Sequence, residues 1–335
     1  MKDEDFLSKN SEDEVVENIL RPRNLKDYIG QEKIKEGLRV FIKAAQKRKE
    51  PLEHILIYGP PGLGKTTLAH VMANETGSRI TVTSGPAIER SGDLVSILTN
   101  LEDSDVLFID EIHRLNKTVE EVLYPAMEDY VVDVVIGKGP SAKTLRVDLP
   151  KFTLIGATTR VSMLSSPLRD RFGLVQSLDF YNEQEIEKIL ERSAKILDVD
   201  FEGDSLAGLA ACSRKTPRVA NRLLKRVRDF ATVYNRDKIN KEISDRALRE
   251  LGVDRMGFDD IDRKYLSALI ENFSGGPAGI ETLSAATSID RDTIEEVIEP
   301  YLMQTGFIKR TPRGRVATGK AFDFFGIKKQ QKLIE

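Results

Sequence analysis

The sequence predicts an α/β protein: a parallel-sheet domain, then a small all-helical domain, then a C-terminal unit of three helices and a basic hairpin. Three observations predict it. Short apolar runs alternate with helical stretches through the first half of the chain, the pattern of parallel strands covered on both faces. A glycine-rich motif stands where one such run gives way to a helix. The last quarter reads helix, helix, helix and then two short strands around a Pro-Arg-Gly turn.

Taken in order, residues 1–18 are acidic and aperiodic, which predicts a disordered arm. After Tyr28-Ile29-Gly30, the apolar residues Ile34, Leu38, Phe41, Ile42 and Ala45 recur at helical spacing up to the charged run 47–50. The run 54–58, HILIY, ends in Gly-Pro-Pro-Gly and predicts a buried strand feeding a turn. Runs 80–83, 106–109 and 152–155 repeat that theme, with helical stretches between the first three. One segment breaks the alternation. Residues 130–136, the turn 137–140 and residues 144–149 predict a β-hairpin inserted before the fourth strand. Its Val131, Val132, Val134, Val135 and Ile136 are more apolar than a free, solvent-facing hairpin should expose, so it reads as a docking surface. The alternative is that it folds back on its own sheet. Between Tyr181 and Leu251 no strand pattern survives, and the apolar spacing suits a small helical domain. Residues 261–270, 279–287 and 290–303 then predict three helices, and residues 306–317 two strands around Pro312-Arg313-Gly314, the order of a winged helix. The expected domains are 1–181, 182–252 and 253–335.

At 335 residues the chain is long enough for two or three cores. With 40% hydrophobic and 31% charged residues and no apolar run long enough to span a bilayer, it reads as a soluble protein. The N-terminus lacks the apolar centre of a secretory signal, which predicts a cytoplasmic location. The single cysteine, Cys212, and three histidines offer neither a disulfide nor a zinc site, and Cys212 reads as a core residue. A net charge of −3 argues against a protein that coats nucleic acid through its overall field, so any DNA contact must be local. The stretch from Lys309 onward is basic, with Arg310, Arg313, Arg315, Lys320, Lys328, Lys329 and Lys332 against Asp323 and Glu335.

The chemistry concentrates in two runs. Residues 59–66, GPPGLGKT, match the phosphate-loop pattern between a strand and a helix. Gly62 and Gly64 let backbone N–H groups approach phosphate oxygens, and the helix N-terminus beyond, with Thr66 and Thr67, adds partial positive charge. Lys65 is placed to reach the β- and γ-phosphates of ATP and the Thr66 hydroxyl to ligate Mg²⁺. The second run, 106–111, ends an apolar strand in two carboxylates, which stability alone does not explain. Asp110 would hold Mg²⁺ through its water shell and Glu111 would polarise the attacking water. Thr159 follows a core strand and could touch the γ-phosphate. Arg169 and Arg171 lie near a turn, where spacing alone favours a surface ion pair with Asp170.

These motifs, with DVLFIDEIHRL (105–115), GATTR (156–160), SSPLRDRFG (165–173), TPR (216–218) and GFIKRTPRGR (306–315), closely resemble the RuvB family of AAA+ ATPases. The family comprises the bacterial motors that drive branch migration of Holliday junctions in recombination and DNA repair. The likeness runs from about Arg21 to near the C-terminus. It implies an AAA+ large domain, a helical lid and a winged-helix head acting as a hexameric ring on junction DNA with RuvA, in association with the RuvC resolvase. It makes Thr159 the γ-phosphate sensor, Arg171 the finger given to the neighbouring subunit, and Arg218 the lid arginine. Leu20, Arg21, Glu128, Asp129, Tyr130 and Tyr181 would flank the nucleotide, and the hairpin 130–149 would meet RuvA. The chain departs from the family where Lys215 stands, since a glycine is expected directly ahead of Thr216.

In the head, the third helix carries Asp290, Asp292, Glu295, Glu296 and Glu299 against Arg291 alone. Such a helix would repel phosphate in a major groove, so Arg310 and Arg315 of the wing are expected to grip the duplex backbone without reading bases. A clamp loader or protein remodeller shares the ATPase core and is the alternative class; a transcriptional regulator would need the base readout that the acidic helix disfavours.

Overall fold

The computed structural model describes residues 17–136, 143–234 and 238–327. Most of the acidic arm, the hairpin turn 137–140 and Lys328, Lys329 and Lys332 lie outside them. Residues 17–20, assigned partly to the arm, are helical. The chain divides into two compact units, residues 1–59 with 63–179 and residues 60–62 with 180–335.

The first unit is built on a five-stranded sheet. Its strands are β1 (Ile55–Tyr58), β2 (Ile80–Ser84), β3 (Val106–Asp110), β6 (Thr153–Thr158) and β7 (Leu174–Ser177), in the order β2-β3-β6-β1-β7 and all parallel. Ile55, Leu56 and Ile57 have no accessible surface, and neither do Leu107, Phe108, Leu154 and Ile155. Central strands of a covered parallel sheet are apolar on both faces, and that is why these runs are unbroken rather than alternating. The fifth strand, β7, had no signal in the sequence. Its Leu-Val-Gln-Ser is short and half-exposed, and pairing with β1 places it. Helices Lys65–Thr76, Ser91–Thr99 and Lys117–Glu128 connect the strands.

The inserted hairpin is β4 (Val131–Ile136) with β5 (Lys143–Asp148), antiparallel. It corrects the reading of a wholly solvent-facing surface. Val132 is buried in the core of the ATPase unit, with Val134 and Val147 packed against it, and Val131 is buried as well. Asp133 faces outward and takes a two-pronged bond from Arg146 at 3.0 and 3.2 Å, and Leu145 is exposed. The base of the hairpin is thus anchored, while Asp133 and Leu145 lie at the surface.

The second unit holds helices Glu183–Ile196, Ser205–Ala211, Pro217–Val233 and Lys241–Glu250. The segment expected to lack strands contains a minimal parallel pair, β8 (Asp200–Phe201) with β9 (Lys238–Ile239), too short to leave an alternating pattern. Cys212 is buried, as its apolar surroundings in the sequence suggest, and burial pushes its thiol up to about 11. In the same unit lie the three helices of the head: Asp260–Ser267 continued by a π segment Ala268–Asn272, Ile280–Thr287, and Arg291–Thr293 continued through a π segment Ile294–Ile298 into Glu299–Gln304. The hairpin β10 (Ile308–Thr311) and β11 (Gly314–Ala317) follows, then a short helix, Gly319–Phe324, that the sequence did not announce. Tyr265, Phe258, Phe307, Leu269, Leu283 and Leu302 form their core.

Lys215, where a glycine was expected, has φ 56°, and Arg214 before it has φ 54°. Both are left-handed, a conformation costing an ordinary residue about 1 kcal/mol. Lys215→Gly is therefore expected to raise the midpoint of thermal unfolding of this unit by about 2–4 °C, measured by calorimetry; an unchanged or lower midpoint would contradict the conformational argument.

Candidate active site

Asp110 and Thr158 end β3 and β6, and the loop after Tyr58 follows β1. They share the carboxyl edge of the sheet, the place where open α/β sheets bind ligands. Within the loop, Gly64 has φ +94°, and a Cβ there would stand 3.1 Å from the Tyr28 hydroxyl. Only glycine fits that backbone and that approach. Lys65 is buried, and its Nζ donates to the carbonyl of Gly59 at 2.8 Å, which holds the ammonium across the loop. Thr66 Oγ1 donates to Asp110 Oδ2 at 3.4 Å. A hydroxyl and a carboxylate oxygen converging in a half-buried site are the hard donors that Mg²⁺ prefers, few enough to leave places for water and phosphate.

Glu111 directly follows, in the left-handed conformation at φ 47°, and its N–H donates to Asp110 Oδ1 at 2.9 Å. This turn sends the two adjacent carboxylates apart. The Glu111 carboxylate accepts from Arg114 Nη1 at 3.0 Å. Sequence reasoning passed over Arg114, although its i+3 spacing from Glu111 was visible. The pair is about half exposed, so it is weak and readily opened.

Thr158 is fully buried and committed internally: its hydroxyl bonds with His113 Nδ1 and accepts from the N–H of Arg160, both at 2.9 Å. Strand alternation sends the next side chain, Thr159, the other way, half-exposed just past the sheet edge. Leu20 is buried. Arg21 lies close enough to His70, on the helix Lys65–Thr76, that its charge helps lower the histidine, burial being the larger cause. Burial also holds Arg21 below its ordinary value, opposed by Glu17. The segment 20–21 therefore borders the helix that carries Lys65, Thr66 and Thr67.

Other expected site residues lie elsewhere. Arg171 precedes β7, at the amino end of the sheet, where Leu174 N–H donates to the carbonyl of His54 ahead of β1. Its guanidinium pairs with Glu128 at 3.1 Å, donates to the Pro167 carbonyl at 2.7 Å and lies 4.5 Å from the centre of the Tyr124 ring. Of the two arginines expected near Asp170, Arg169 makes the surface pair, at 4.0 Å. Tyr130 packs against His54 and Phe152, residues that precede β1 and β6. Arg171, Glu128 and Tyr130 thus gather at the opposite end of the sheet from the phosphate loop of the same chain. Asp129 lies between Glu128 and Tyr130, exposed.

In the second unit, Thr216 caps the helix Pro217–Val233, accepting from the N–H of Val219 at 3.4 Å. Arg218, exposed on its first turn, donates its N–H to the carbonyl of Gly62 at 3.3 Å. Tyr181 is buried and donates its N–H to the carbonyl of Lys215 at 3.1 Å.

The wing corrects the sequence reading of charge. Glu299 has no accessible surface. Its Oε2 accepts from Arg310 at 2.6 and 2.8 Å, and its Oε1 from Arg315 at 2.7 Å and from the Tyr265 hydroxyl at 2.9 Å. Arg315 also reaches Glu295 at 3.2 Å and its side chain is only 12% exposed. The third helix is therefore less repulsive to phosphate than its composition suggests. Arg315 is engaged in holding the hairpin to that helix, because a buried carboxylate needs its partners. Arg310 keeps 45% of its side chain exposed, and Arg313, at the hairpin turn, and Lys309 are exposed.

Among the described residues no helix is long and apolar enough to cross a membrane. Family models for the Holliday junction DNA helicase RuvB P-loop domain, the RuvB AAA lid domain and the RuvB C-terminal winged helix domain match residues 20–178, 181–254 and 255–326. Among solved structures, the chain is similar to the Thermotoga maritima RuvB Holliday junction branch migration motor, with 48% identity over 92% of this chain and 99% of that one and a TM-score of 0.85. A lysine-to-arginine mutant of the same Thermotoga protein matches at the same identity and coverage, with a TM-score of 0.86. With its phosphate loop, paired carboxylates, lid and winged head all matched, the chain belongs to the RuvB family of ATP-dependent Holliday junction helicases.

Proposed function

We propose that each working ATP site is assembled from two copies of this chain in a hexameric ring, and that the ring moves junction DNA held by the winged heads. The observation that carries the reading is the placement of Lys65, Thr66, Asp110 and Glu111 at one end of the sheet and of Arg171 with Glu128 at the other. One chain cannot bring both ends to a single phosphate. A heterologous, head-to-tail contact that closes into a ring can.

In the proposed site Lys65 binds the β- and γ-phosphates, and the loop N–H groups and helix N-terminus orient them. Thr66 and Asp110 would hold Mg²⁺, which supplies charge neutralisation at the phosphates when bound. Glu111 orients the attacking water and takes its proton, after releasing Arg114. Thr159 bonds the γ-phosphate, Arg218 answers it from the lid, and Arg171 of the neighbouring subunit stabilises the charge of the transferring phosphoryl group. Leu20, Arg21 and Tyr181 border the nucleotide from their own chain; Glu128, Asp129 and Tyr130 belong to the side given to the neighbour. The outer hairpin, with Leu145 exposed, is the face for RuvA, the junction-binding partner; RuvC would act on the same junction. The location is cytoplasmic.

At the DNA, Arg313 and the exposed edge of Arg310 grip phosphate while Arg315 keeps the wing on its helix. Arg313→Ala is expected to weaken duplex binding equally across sequences and to lower the salt slope of binding by about one, read by fluorescence anisotropy against salt; a sequence-dependent loss would point to base readout instead.

Motion is tested by the dependence of ATP turnover on duplex length. A translocating ring keeps gaining stimulation on duplexes well beyond its footprint, whereas a loader or switch saturates at the footprint. Removing Mg²⁺ with a chelator should abolish turnover in either case and serves as the control.

A further inference from the structure

The loop 213–216 directly precedes the helix Pro217–Val233, whose Arg218 enters the proposed ATPase scheme. We propose that Arg214 is a positioning residue, a strap by which the nucleotide state sensed at Arg218 is passed to the winged head. The inference rests on the reading of the chain as an ATP-driven motor with a DNA-gripping head.

Arg214 leaves the helical segment and enters the head. Its Nη1 pairs with Asp262 at 3.0 Å, its Nη2 donates to the backbone carbonyl of Val297 at 2.8 Å, and the guanidinium lies 5.1 Å from the centre of the Tyr301 ring. These partners come from the first and third helices of the head, so one side chain holds both. The side chain is 11% exposed and Asp262 is wholly buried. Asp262 already accepts from the Asp259 N–H at 3.1 Å through the same oxygen, and its other oxygen has no partner. Burial pushes its carboxyl up to about 7 while Arg214 pulls the other way, so its charge at neutral pH depends on the arginine.

The backbone of the strap is equally constrained. Arg214 and Lys215 are consecutive left-handed residues without being glycine, and such conformations persist only where the surroundings over-determine them. Lys215 O is taken by Tyr181 N–H and Ser213 O by Thr216 N–H. Three residues further on than Lys215, Arg218 N–H reaches the Gly62 carbonyl of the phosphate loop. A shift of Arg218 toward or away from a bound γ-phosphate has no slack to absorb it before Arg214. The loop is a short, taut connection between the loop that holds phosphate and the two helices that carry the wing.

A staple that merely holds two parts together would lower stability and every activity alike. A strap predicts a split. In Arg214→Ala, ATP turnover should stay within about threefold of the native ring while junction migration per ATP falls at least about tenfold, a loss of coupling rather than of chemistry. The second readout is hydrogen exchange in Asp260–Ser267 with and without the non-hydrolysable analogue adenylyl imidodiphosphate. The native chain should show a nucleotide-dependent change there, and Arg214→Ala should not. Retained coupling, or an exchange response that survives the substitution, overturns the proposal, as does a parallel fall in turnover and migration. Should Arg214→Ala fail to fold, Arg214→Lys decides by the same criteria: it keeps the charge facing Asp262 and loses the fork to Val297, so partial uncoupling supports the strap and full coupling overturns it. If the native chain hydrolyses ATP and moves no junction, the motor reading fails, yet the exchange experiment still judges the strap by itself.

Discussion

Arg171→Ala is expected to lower ATP turnover by about 10³-fold or more, the scale of a transferred arginine in phosphoryl transfer, while nucleotide binding to the same subunit is retained. The basis is topological. Arg171 lies beside Tyr124 and Glu128 at the amino end of the sheet, while Lys65 and Asp110 lie at the carboxyl end, so its loss should leave the phosphate loop of its own chain intact. The effect should also be rescuable. A subunit carrying Asp110→Asn has a dead site but an intact Arg171, and next to an Arg171→Ala subunit it completes the neighbour's site. In a 1:1 mixture with random order, about a quarter of the interfaces of a head-to-tail ring are so completed. Turnover rising well above that of either variant alone is the expected result in a steady-state phosphate-release assay. No recovery at any ratio would contradict supply from the neighbour. Glu128→Ala should show a milder defect that mixing also repairs, since Glu128 orients Arg171 and does not itself stabilise the phosphoryl group.

Glu111→Gln should behave differently: ATP binding unchanged and hydrolysis down by about 10²- to 10⁴-fold, the usual contribution of a positioned general base. Mixing with Asp110→Asn should not rescue it, because both losses lie in the subunit's own site. Glutamine keeps the size and the hydrogen-bonding capacity of the side chain but removes the charge that takes the proton. It also weakens the 3.0 Å pair with Arg114. Arg114→Ala isolates that second effect. It should change turnover only modestly, since an exposed pair contributes at most about 1 kcal/mol. Filter binding of ATP beside single-turnover hydrolysis separates the two steps. A Glu111→Gln chain that hydrolyses ATP at the native rate would remove Glu111 from the catalytic role.

Much of this was legible in the sequence for identifiable reasons. The three central strands announce themselves because residues such as Ile55–Ile57 and Leu107–Ile109 are covered on both faces and must be apolar throughout. The phosphate loop is legible because the backbone there admits little but glycine, as Gly64 beside Tyr28 illustrates. Edge strand β7 was not legible: with Val175 exposed and Gln176 and Ser177 half-buried, its position comes from pairing with β1 rather than from composition. Composition could not show that Val131 and Val132 are buried at the base of the hairpin while Leu145 on the opposite strand is exposed, since all three are apolar. Charge was the least legible of all. Glu299, Arg310 and Arg315 are separate acidic and basic signals along the chain, and only the fold reveals that the two arginines converge on the one buried carboxylate. The same holds for Arg214 and Asp262, far apart in sequence and 3.0 Å apart in space.

The central claim is that this chain converts ATP hydrolysis at inter-subunit sites into movement of junction DNA. A synthetic four-way junction with non-identical arms, incubated with the chain, a RuvA-type partner, Mg²⁺ and ATP, tests it most directly. The account predicts ATP-dependent dissociation of the junction into two duplexes, abolished by Lys65→Ala and by Arg171→Ala and restored when the Arg171→Ala and Asp110→Asn chains are mixed. ATP hydrolysis stimulated by DNA with the junction left unmoved, with or without the partner, would contradict it.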